Sequence, residues 1–376
     1  MIDFIQENLW GCVGAAVFVL AWIIQVFYFL NYFLKSAAKP AEPKGLKHGV
    51  SVVVCARNEE KNLMENIPVI MEQDYPDFEL VVVNDSSWDD TEGILKALQV
   101  RYPNIHVVNL DEEKQNMQGK KFALTLGIKA AKNEIILLTD ADCVPSTNHW
   151  IREMVASLDE QTEVVLGFSP YTRYPGWLNR IIRFDTLMIA AHYLGFARAG
   201  KPYMGVGRNL CYTKDIFFKV GGFKNHYSIA SGDDDLFVNQ VATTRNTVIV
   251  NNPEAHTLSE PKKSWKDWFA QKRRHFTTTP YYKQSHKNML MLWPLSFFFM
   301  FAGYATAMVF QTGMLLVSGI LLLRYITQII TLHKVSVRLD QSRDLVWLAP
   351  FLEIHLHTLN LGLYITNLVR KPKKWN

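Results

Sequence analysis

The stretch EIILLTDADC, residues 134–143, joins a short apolar run directly to two aspartates. A run of four to eight apolar residues bounded by polar ones is typical of a fully buried strand. In open α/β sheets, ligands bind beyond the carboxyl ends of the strands. The stretch therefore predicts a buried strand that ends at a ligand site containing Asp140 and Asp142.

Three further runs of the same kind precede this one along the chain: VSVVV at 50–54, ELVVV at 79–83 and HVVNL at 106–110. Helix-like stretches separate the runs, at 59–72, 91–101 and 121–131. Buried strands that alternate with crossover helices predict an α/β domain with a parallel, doubly wound sheet. Asp85 follows the second run, so we expect it at the same edge of the sheet as the other two aspartates.

The composition averages over two unlike parts of the 376-residue chain. Hydrophobic residues make up 49% and charged residues 20%, and 40 Lys+Arg against 35 Asp+Glu give a net charge of +5. These values exclude a disordered chain, a collagen and a small disulfide scaffold. Two stretches, 11–34 and 288–323, nevertheless contain no charged residue. Each is long enough to cross a bilayer, which takes about 20 apolar residues.

The first apolar stretch predicts an uncleaved membrane anchor. Acidic residues precede it and lysines follow it, namely Asp3 and Glu7, then Lys35, Lys39, Lys44 and Lys47. A signal peptide shows the opposite order, with an apolar core of about 7–15 residues and a small-residue cleavage site. The positive-inside rule then places the next domain in the cytoplasm. We expect an integral membrane protein, such as one of a bacterial inner membrane.

The predicted domains follow from these segments: an anchor at 1–35, a linker at 36–48, a cytoplasmic catalytic domain at 49–260, an amphipathic interfacial helix at 261–287 and a membrane region at 288–376. Within the last region, 288–310 and 312–332 predict a transmembrane hairpin. The stretch 345–369 contains Pro350, Glu353, His355 and His357. It is either a third span or an interfacial segment, and the latter keeps the basic tail at 370–376 cytoplasmic.

Several polar residues lie where the predicted sheet would bind a ligand. Carboxylates at Asp140 and Asp142 can hold Mg²⁺ or Mn²⁺, and such a cation can neutralise a diphosphate. They could equally be turn or capping residues. Asp85 can accept hydrogen bonds from a base or ribose, and polar Arg57, Asn58 and Glu59 stand at the first strand–helix junction.

Two further polar stretches extend this pattern. Lys120 and Lys121 begin a helix, where a lysine opposes the helix dipole unless an anion such as phosphate is bound. SGDDDLF contains Asp233, Asp234 and Asp235. Three adjacent carboxylates repel one another, which suits a general base with a raised pKa, although an acidic helix N-terminus explains them equally well.

The stretch SWKDWFAQKRRHF, at 264–276, mixes tryptophans with basic residues just ahead of a predicted span. This pattern is typical of an interfacial helix on anionic lipid, with Trp265, Trp268, Lys272 and Arg273 among its residues. The neighbouring spans argue against nucleic acid as a partner. Gln271, Arg274 and His275 could also face the active site. The four cysteines form no CxxC pair, so neither a disulfide nor a zinc site is expected.

Together these motifs resemble those of the membrane-anchored family 2 glycosyltransferases, which are inverting enzymes of GT-A fold. The resemblance is carried in chain order by VSVVVCARNEE, VVVNDSS, GKKFAL, TDAD, GVGRNLCYTKDIFFKVGGF, SGDDDLF and SEPKKSWKDWFAQKRRH. It implies a doubly wound mixed sheet, Rossmann-like, with transmembrane helices at both ends of the chain. It also implies site residues: Ala56, Arg57, Asn58, Glu59, Asp85, Lys120 and Asp140 for the nucleotide, and Asp142 with Asp140 for the metal.

The sequence departs from that family at two places. The family's general base usually lies in a Glu-Asp pair, whereas the three aspartates here make Asp234 the preferred base and Asp233 the alternative. Processive members end the motif Gln-x-x-Arg with Trp, whereas Gln271 and Arg274 are followed here by His275. We therefore expect transfer of a sugar from a nucleotide donor, UDP-linked, to a lipid or lipid-linked acceptor, which would yield a glycolipid. A processive β-polysaccharide synthase and a non-catalytic nucleotide-sugar-binding protein are the alternatives.

Overall fold

The computed structural model describes residues 8–40, 44, 49–111, 119–229 and 231–369. Its strands are β1 Val50–Ala56, β2 Phe78–Asp85, β3 Ile105–Leu110, β4 Ile135–Leu138, β5 Cys143–Pro145, β6 Val164–Leu166, β7 Leu210–Thr213, β8 Thr247–Ile249 and β9 Thr257–Ser259. The main sheet has seven strands in the order β3-β2-β1-β4-β7-β6-β8, and β5 pairs with β9 in a second, small sheet. The four predicted strands are present, as β1 to β4.

The main sheet is mixed rather than wholly parallel. Strands β1 to β4 pair in parallel, whereas β7 runs antiparallel to both β4 and β6. The prediction of a parallel sheet is therefore correct only for the half that contains β1 to β4. The other half was not predicted, because β6 to β8 are three or four residues long and leave no comparable pattern in the sequence. The mixed GT-A sheet implied by the resemblance is confirmed.

Helices cover both faces of this sheet and continue into the apolar segments. They are α1 Leu9–Asn31, α2 Glu60–Met71, α3 Thr91–Arg101, α4 Lys120–Ala130, α5 Trp150–Val155, α6 Trp177–Arg198, α7 Lys214–Lys219, α8 Asp235–Val241, α9 Trp265–His275, α10 Gln284–Val309, α11 Met314–Arg338, α12 Asp344–Trp347 and α13 Ala349–Val369.

Side chains of one strand point alternately to two separate cores. Val52 and Val54 of β1 pack with Leu63 and Ile67 of α2, whereas Val53 belongs to the core on the opposite face. The latter core contains α4 and α6 and also aromatic residues of α1 and α10. Because both faces are covered, the strands are apolar throughout rather than alternating. The catalytic domain and the apolar helices therefore share one continuous core.

Among the described residues, three helical segments are long and apolar enough to cross a membrane: Leu9–Ala37, Gln284–Val309 and Met314–Arg338. This agrees with a membrane-anchored protein. The first two pack closely at Gly14 and Gly303, where a Cβ on Gly303 would lie 2.6 Å from the carbonyl oxygen of Gly14. Small residues at such contacts let membrane helices approach each other.

Helix α13 covers the stretch whose position the sequence left open, and it does not belong to those three segments. Glu353 of α13 is 1% exposed and makes two 2.6 Å contacts with Arg324 of α11, which is 0% exposed. Arg324 also donates to Gln25 of α1 at 2.6 Å. This buried polar cluster joins three helices. The basic tail at 370–376 and most of the predicted linker at 36–48 lie outside the described residues.

Replacing Arg324 with Met should lower the unfolding temperature of the detergent-solubilised protein, because Glu353 is then buried without its cation. Removing one partner of a buried ion pair costs about 3–5 kcal/mol. The double variant Arg324→Met with Glu353→Met should recover much of that loss, since neither charge then remains. Scanning fluorimetry in one detergent checks both results, and equal midpoints for the wild type and Arg324→Met would contradict this account.

Candidate active site

The polar turns that follow β1 and β2 are joined to each other. Asn58, with φ at 58°, accepts a 3.0 Å hydrogen bond from the Trp88 N–H and donates its own N–H to Ser87 Oγ at 3.0 Å. The Arg57 guanidinium lies 5.5 Å from the Trp88 ring centroid. These contacts bring the residues predicted to bind the nucleotide at the end of β1 beside the turn after β2, which starts from the buried Asp85.

Ala56 and Glu59 occupy the ends of that first turn. Ala56 is the last residue of β1 and is buried. Glu59 accepts a hydrogen bond from Asn62. Burial raises the pKa of Glu59, and the charges of Asp142 and Asp140 raise it further despite the Asn62 hydrogen bond. The turn after β1 therefore adjoins the acidic pair after β4.

Lys120 links two acidic motifs that are far apart in the sequence. Its Nζ lies 2.8 Å from Asp140 Oδ1 and 3.0 Å from Asp233 Oδ2. Burial alone would lower the pKa of Lys120, but Asp140, Asp233 and Asp234 outweigh it and raise the pKa well above its ordinary value. Lys120 is therefore a permanent positive charge between TDAD and SGDDDLF.

Lys121 has a different role, which the sequence could not distinguish. Its Nζ donates to the carbonyl oxygens of His226, Ile229 and Ser231 at 2.6, 3.0 and 2.7 Å. These acceptors lie on the segment just ahead of Asp233. Lys121 thus holds that segment against α4 and does not reach the acidic pair after β4.

Asp140 and Asp142 form a compact acidic group with Cys143, with ligand atoms all within 4.8 Å of one another. Burial and the charge of Asp140 raise the pKa of Asp142, although Arg208 acts against this. Burial also raises the pKa of the Cys143 thiol, which suits it poorly to a hard cation. The carboxylates of Asp140 and Asp142 lie close enough together to offer the oxygen ligands that a hard divalent cation takes.

The three aspartates of SGDDDLF are distinguished by their neighbours. Asp235 is buried and accepts hydrogen bonds from Tyr282 Oη, at 2.6 Å, and from Thr278 Oγ1. These hydrogen bonds therefore join the start of α8 to the segment that precedes α10. Burial disfavours the charge of Asp233, but the ion pair and hydrogen bond with Lys120 outweigh this and lower its pKa.

Among the described residues, Asp234 has neither an ion pair like that of Asp233 nor hydroxyl donors like those of Asp235. Its Oδ2 accepts the Gly207 N–H at 2.8 Å, and its Oδ1 accepts the Asp235 N–H at 2.7 Å. Burial, followed by the charges of Asp233 and Asp235, raises the pKa of Asp234 to about 7. A carboxylate with a pKa near the working pH suits general base catalysis. The geometry thus separates Asp234 from Asp233.

Arg208 is a further residue of the site that motif reasoning did not single out. Its guanidinium lies 4.4 Å from the Tyr171 ring centroid, and its carbonyl oxygen accepts hydrogen bonds from Thr139 Oγ1 and Thr257 Oγ1 at 3.0 and 2.8 Å. Its charge acts on Asp142. The signal available in the sequence was a lone arginine in GVGRN, beside the glycine that contacts Asp234.

Helix α9 brings its polar residues to the same region. Gln271 Nε2 donates to Tyr171 Oη at 3.3 Å. Loss of hydration lowers the pKa of His275, and Arg274, Lys272 and Arg208 lower it further, so the ring is neutral at neutral pH. The charges of Arg208 and Asp233 act on His275, and the Tyr171 side chain contacts both Gln271 and Arg208. Helix α9 therefore lies beside both acidic motifs.

The expectation that the basic residues of α9 face lipid is wrong for Lys272. This side chain is buried, with Nζ 2.8 Å from both carboxylate oxygens of Asp185 in α6. Trp268 is buried as well, at 2% exposure, whereas Trp265 stays exposed at 38%. The buried ion pair turns this face of α9 toward the domain, because an unpaired lysine could not be buried there.

Comparisons with known proteins agree with this architecture. Residues 51–221 match the model of glycosyl transferase family 2. Glycosyltransferase AglE of Haloferax volcanii is 27% identical over 188 residues, which are 49% of this chain and 58% of that protein. A dolichyl-phosphate β-glucosyltransferase of Trichomonas vaginalis is 35% identical over 128 residues, which are 30% of this chain and 38% of that protein. The chain thus spans only part of the length of each relative, little more than half of the first and less than half of the second.

A solved structure matches over nearly its whole length. It is the mannosyltransferase PcManGT of Pyrobaculum calidifontis, in complex with GDP-Man and Mn²⁺, with a TM-score of 0.64 and 17% identity. The match covers 96% of this chain and 99% of that one. At this identity the likeness shows the fold, which includes the long helices as well as the sheet. The family model and the shared architecture confirm the resemblance seen in the motifs: residues 51–221 form a family 2 glycosyltransferase domain, and the chain has a GT-A fold.

Proposed function

We propose that this protein transfers a sugar from a nucleotide donor to the hydroxyl of a lipid or lipid-linked acceptor, with inversion at the anomeric carbon. The observation that carries the proposal is the arrangement around Lys120, which lies between Asp140 and Asp233 and beside the uncompensated Asp234. In this arrangement a diphosphate near Asp140 and the proposed base Asp234 would lie beside the same cation.

The nucleotide would bind at the carboxyl ends of β1 and β2. Ala56 ends β1 and is followed by Asn58 and Glu59, and Asp85 ends the neighbouring strand β2. A buried carboxylate at a strand end suits hydrogen bonds from a base or ribose. Uridine diphosphate is the proposed donor nucleotide. Guanosine diphosphate is the second to test, because the structurally similar mannosyltransferase is described in complex with GDP-Man.

Asp142 and Asp140 would hold Mg²⁺ or Mn²⁺. A divalent cation bound there supplies positive charge to the diphosphate as it leaves. The chain adds its own cations beside this position, namely Lys120 and Arg208. Gln271, Arg274 and His275 of α9 would close over the diphosphate and the acceptor.

Asp234 would act on the acceptor. It takes the proton of the acceptor hydroxyl, the oxygen attacks the anomeric carbon, and the bond from that carbon to the diphosphate oxygen breaks with its electron pair. Attack on the face opposite the leaving group inverts the centre. The Gly207 N–H holds one oxygen of Asp234 at 2.8 Å, which orients the carboxylate for this step.

The membrane helices support a lipid-borne acceptor. Lys35 and Lys39 follow α1, and by the positive-inside rule this supports a catalytic domain on the cytoplasmic face. The domain shares its core with α1 and α10, and this rigid connection would hold its active site at a fixed height above the membrane.

A screen of nucleotide sugars with the purified full chain in native-lipid nanodiscs tests this function. We expect release of free nucleotide with one donor, loss of release with a metal chelator, and a labelled product that extracts with lipids. A ladder of high mass would favour the processive synthase instead. Nucleotide binding without turnover across a panel of lipid acceptors would favour a non-catalytic binding protein.

A further inference from the structure

A cavity of about 490 Å³ lies between the catalytic domain and the loop that follows α11. Tyr171, Arg173 and Arg183 line it from the domain, and Gln341 and Ser342 line it from the loop. The loop directly follows a candidate membrane span. The cavity therefore lies at the end of the membrane helices that faces the catalytic domain.

The cavity adjoins the active site through a single side chain. The Tyr171 ring that lines the cavity also lies 4.4 Å from the Arg208 guanidinium, and its Oη accepts a hydrogen bond from Gln271. Arg208 follows Gly207, whose N–H contacts Asp234. A ligand held in the cavity can thus extend past Tyr171 toward the proposed base.

The charges around the cavity leave an excess of one cation. Arg180 Nε lies 3.6 Å from Asp344, and Arg183 Nη1 lies 4.0 Å from the same carboxylate. Asp340 also lines the cavity. Three arginines against two aspartates leave one positive charge. Arg173 is the exposed member of the three, and its charge also acts on Asp344, although in the described part of the chain the ion pairs of Asp344 are with Arg180 and Arg183.

Exposed apolar side chains continue from the cavity along α12 and α13. Trp347 is 69% exposed, Phe351 65% and Trp177 38%. The Trp177 ring lies 5.5 Å from that of His355 on α13, and Phe351 precedes His355 by one helical turn. A tryptophan-rich apolar surface next to a polar cavity suits a molecule with a hydrocarbon chain and a polar head.

We propose that this cavity binds the headgroup of an anionic lipid acceptor, with its phosphate or diphosphate at Arg173 and its chain along Trp347 and Phe351. The inference rests on the proposed function and names the class of its acceptor. A carboxylate base at Asp234 requires a hydroxyl nucleophile, so the lipid carries a sugar or polyol beyond its phosphate. The Tyr171 ring provides a flat apolar surface of the kind on which a sugar ring packs. A polyprenyl-diphosphate-linked sugar and phosphatidylglycerol share this chemistry.

Lipid binding by the full chain tests the inference apart from catalysis. The protein is placed in phosphatidylcholine nanodiscs that contain a polyprenyl diphosphate N-acetylglucosamine, phosphatidylglycerol or diacylglycerol, and retained lipid is measured by native mass spectrometry. We expect the wild type to retain one of the two anionic lipids over diacylglycerol, which identifies the source of the phosphate. Arg173→Gln should weaken that retention about tenfold, as expected for losing one hydrogen bond to a charged group.

Two further variants complete the test. Gln341→Trp fills the cavity and should exclude the anionic lipid. Arg101→Gln alters an exposed arginine at the end of α3, which packs on the Tyr102 ring, and this variant should retain the lipid. Equal retention of diacylglycerol and the anionic lipids, or unchanged retention in Arg173→Gln, would overturn the inference. Release of nucleotide from the donor, measured with the full chain in native-lipid nanodiscs, reports separately on the proposed function.

Discussion

Replacing Asp234 with Asn is expected to reduce sugar transfer about a thousandfold or more, while donor binding stays within a few-fold of the wild type. General base catalysis contributes about 10²- to 10⁴-fold, and an amide cannot accept the proton. The amide oxygen can still accept the Gly207 N–H, so this contact with the loop is kept, whereas the Asp235 N–H loses its acceptor. Single-turnover transfer and nucleotide affinity, measured on the same preparation, check the two halves of this prediction.

Asp233→Asn is the matched control, because it removes the neighbouring carboxylate and leaves the base. This variant loses one of the two partners of Lys120 and should weaken donor binding more than the chemical step. If Asp233→Asn abolishes transfer and Asp234→Asn does not, the roles of the two residues are reversed.

The raised pKa of Asp234 gives the enzyme a defined pH dependence. A base must be deprotonated, so kcat/KM should rise about tenfold per pH unit below pH 7 and level off above it, since its pKa is about 7. The low-pH limb should vanish from whatever residual activity Asp234→Asn retains. A profile that is flat between pH 5 and 8 would contradict the assignment of the base.

The ionised Asp234 carboxylate should also lower the free energy of unfolding at neutral pH. Its folded pKa lies above the ordinary value of an aspartate, so the folded state loses stability as the pH rises from about 4 to 7. Asp234→Asn should therefore be more stable than the wild type at pH 8, by on the order of 1–2 kcal/mol, and the difference should shrink toward pH 4. A variant that is less active but more stable separates loss of function from misfolding.

Replacing Asp142 with Asn is expected to lower transfer about a thousandfold and to weaken Mn²⁺ binding strongly. A divalent cation contributes several kcal/mol of charge stabilisation to such a step, and an amide is a poorer ligand than a carboxylate. The variant should fold, because it relieves the repulsion between Asp142 and Asp140. Electron paramagnetic resonance of Mn²⁺, with the nucleotide present, measures the affinity directly.

Cys143→Ala serves as the control for this variant, since it alters the adjacent side chain of the same cluster. The buried thiol donates to Asp142 Oδ1 at 3.4 Å and is not an expected ligand. Mn²⁺ affinity should change little in Cys143→Ala. Unchanged Mn²⁺ affinity in Asp142→Asn would show that the cation is held elsewhere.

Much of the sheet could be predicted because the parallel half is buried on both faces. Such strands appear in the sequence as continuous apolar runs, and β1 to β4 coincide with the four runs to within two residues. The other half could not be predicted, because β6 and β8 are three residues long and β7 four. Strands this short leave no pattern that differs from a loop with a few apolar residues.

The membrane helices show the same contrast. Lack of charge over 11–34 and 288–323 predicts the spans, since a bilayer rejects charge at any point of a helix surface. Residues 345–369 contain Glu353, and their position depends on whether a partner for that charge exists. The partner is Arg324, on a helix earlier in the chain. No local pattern reveals such a pairing.

The sequence alone determined the family, the order of the motifs and the set of acidic side chains around the site. It did not determine the contacts and the protonation state of each of these side chains. Lys120 and Lys121 are adjacent in sequence, yet one contacts two carboxylates and the other three carbonyl oxygens. Likewise Asp233 is paired with a cation, whereas Asp234 is not. Protonation and contact are set by neighbours in space, and those neighbours come from segments that only the tertiary structure brings together.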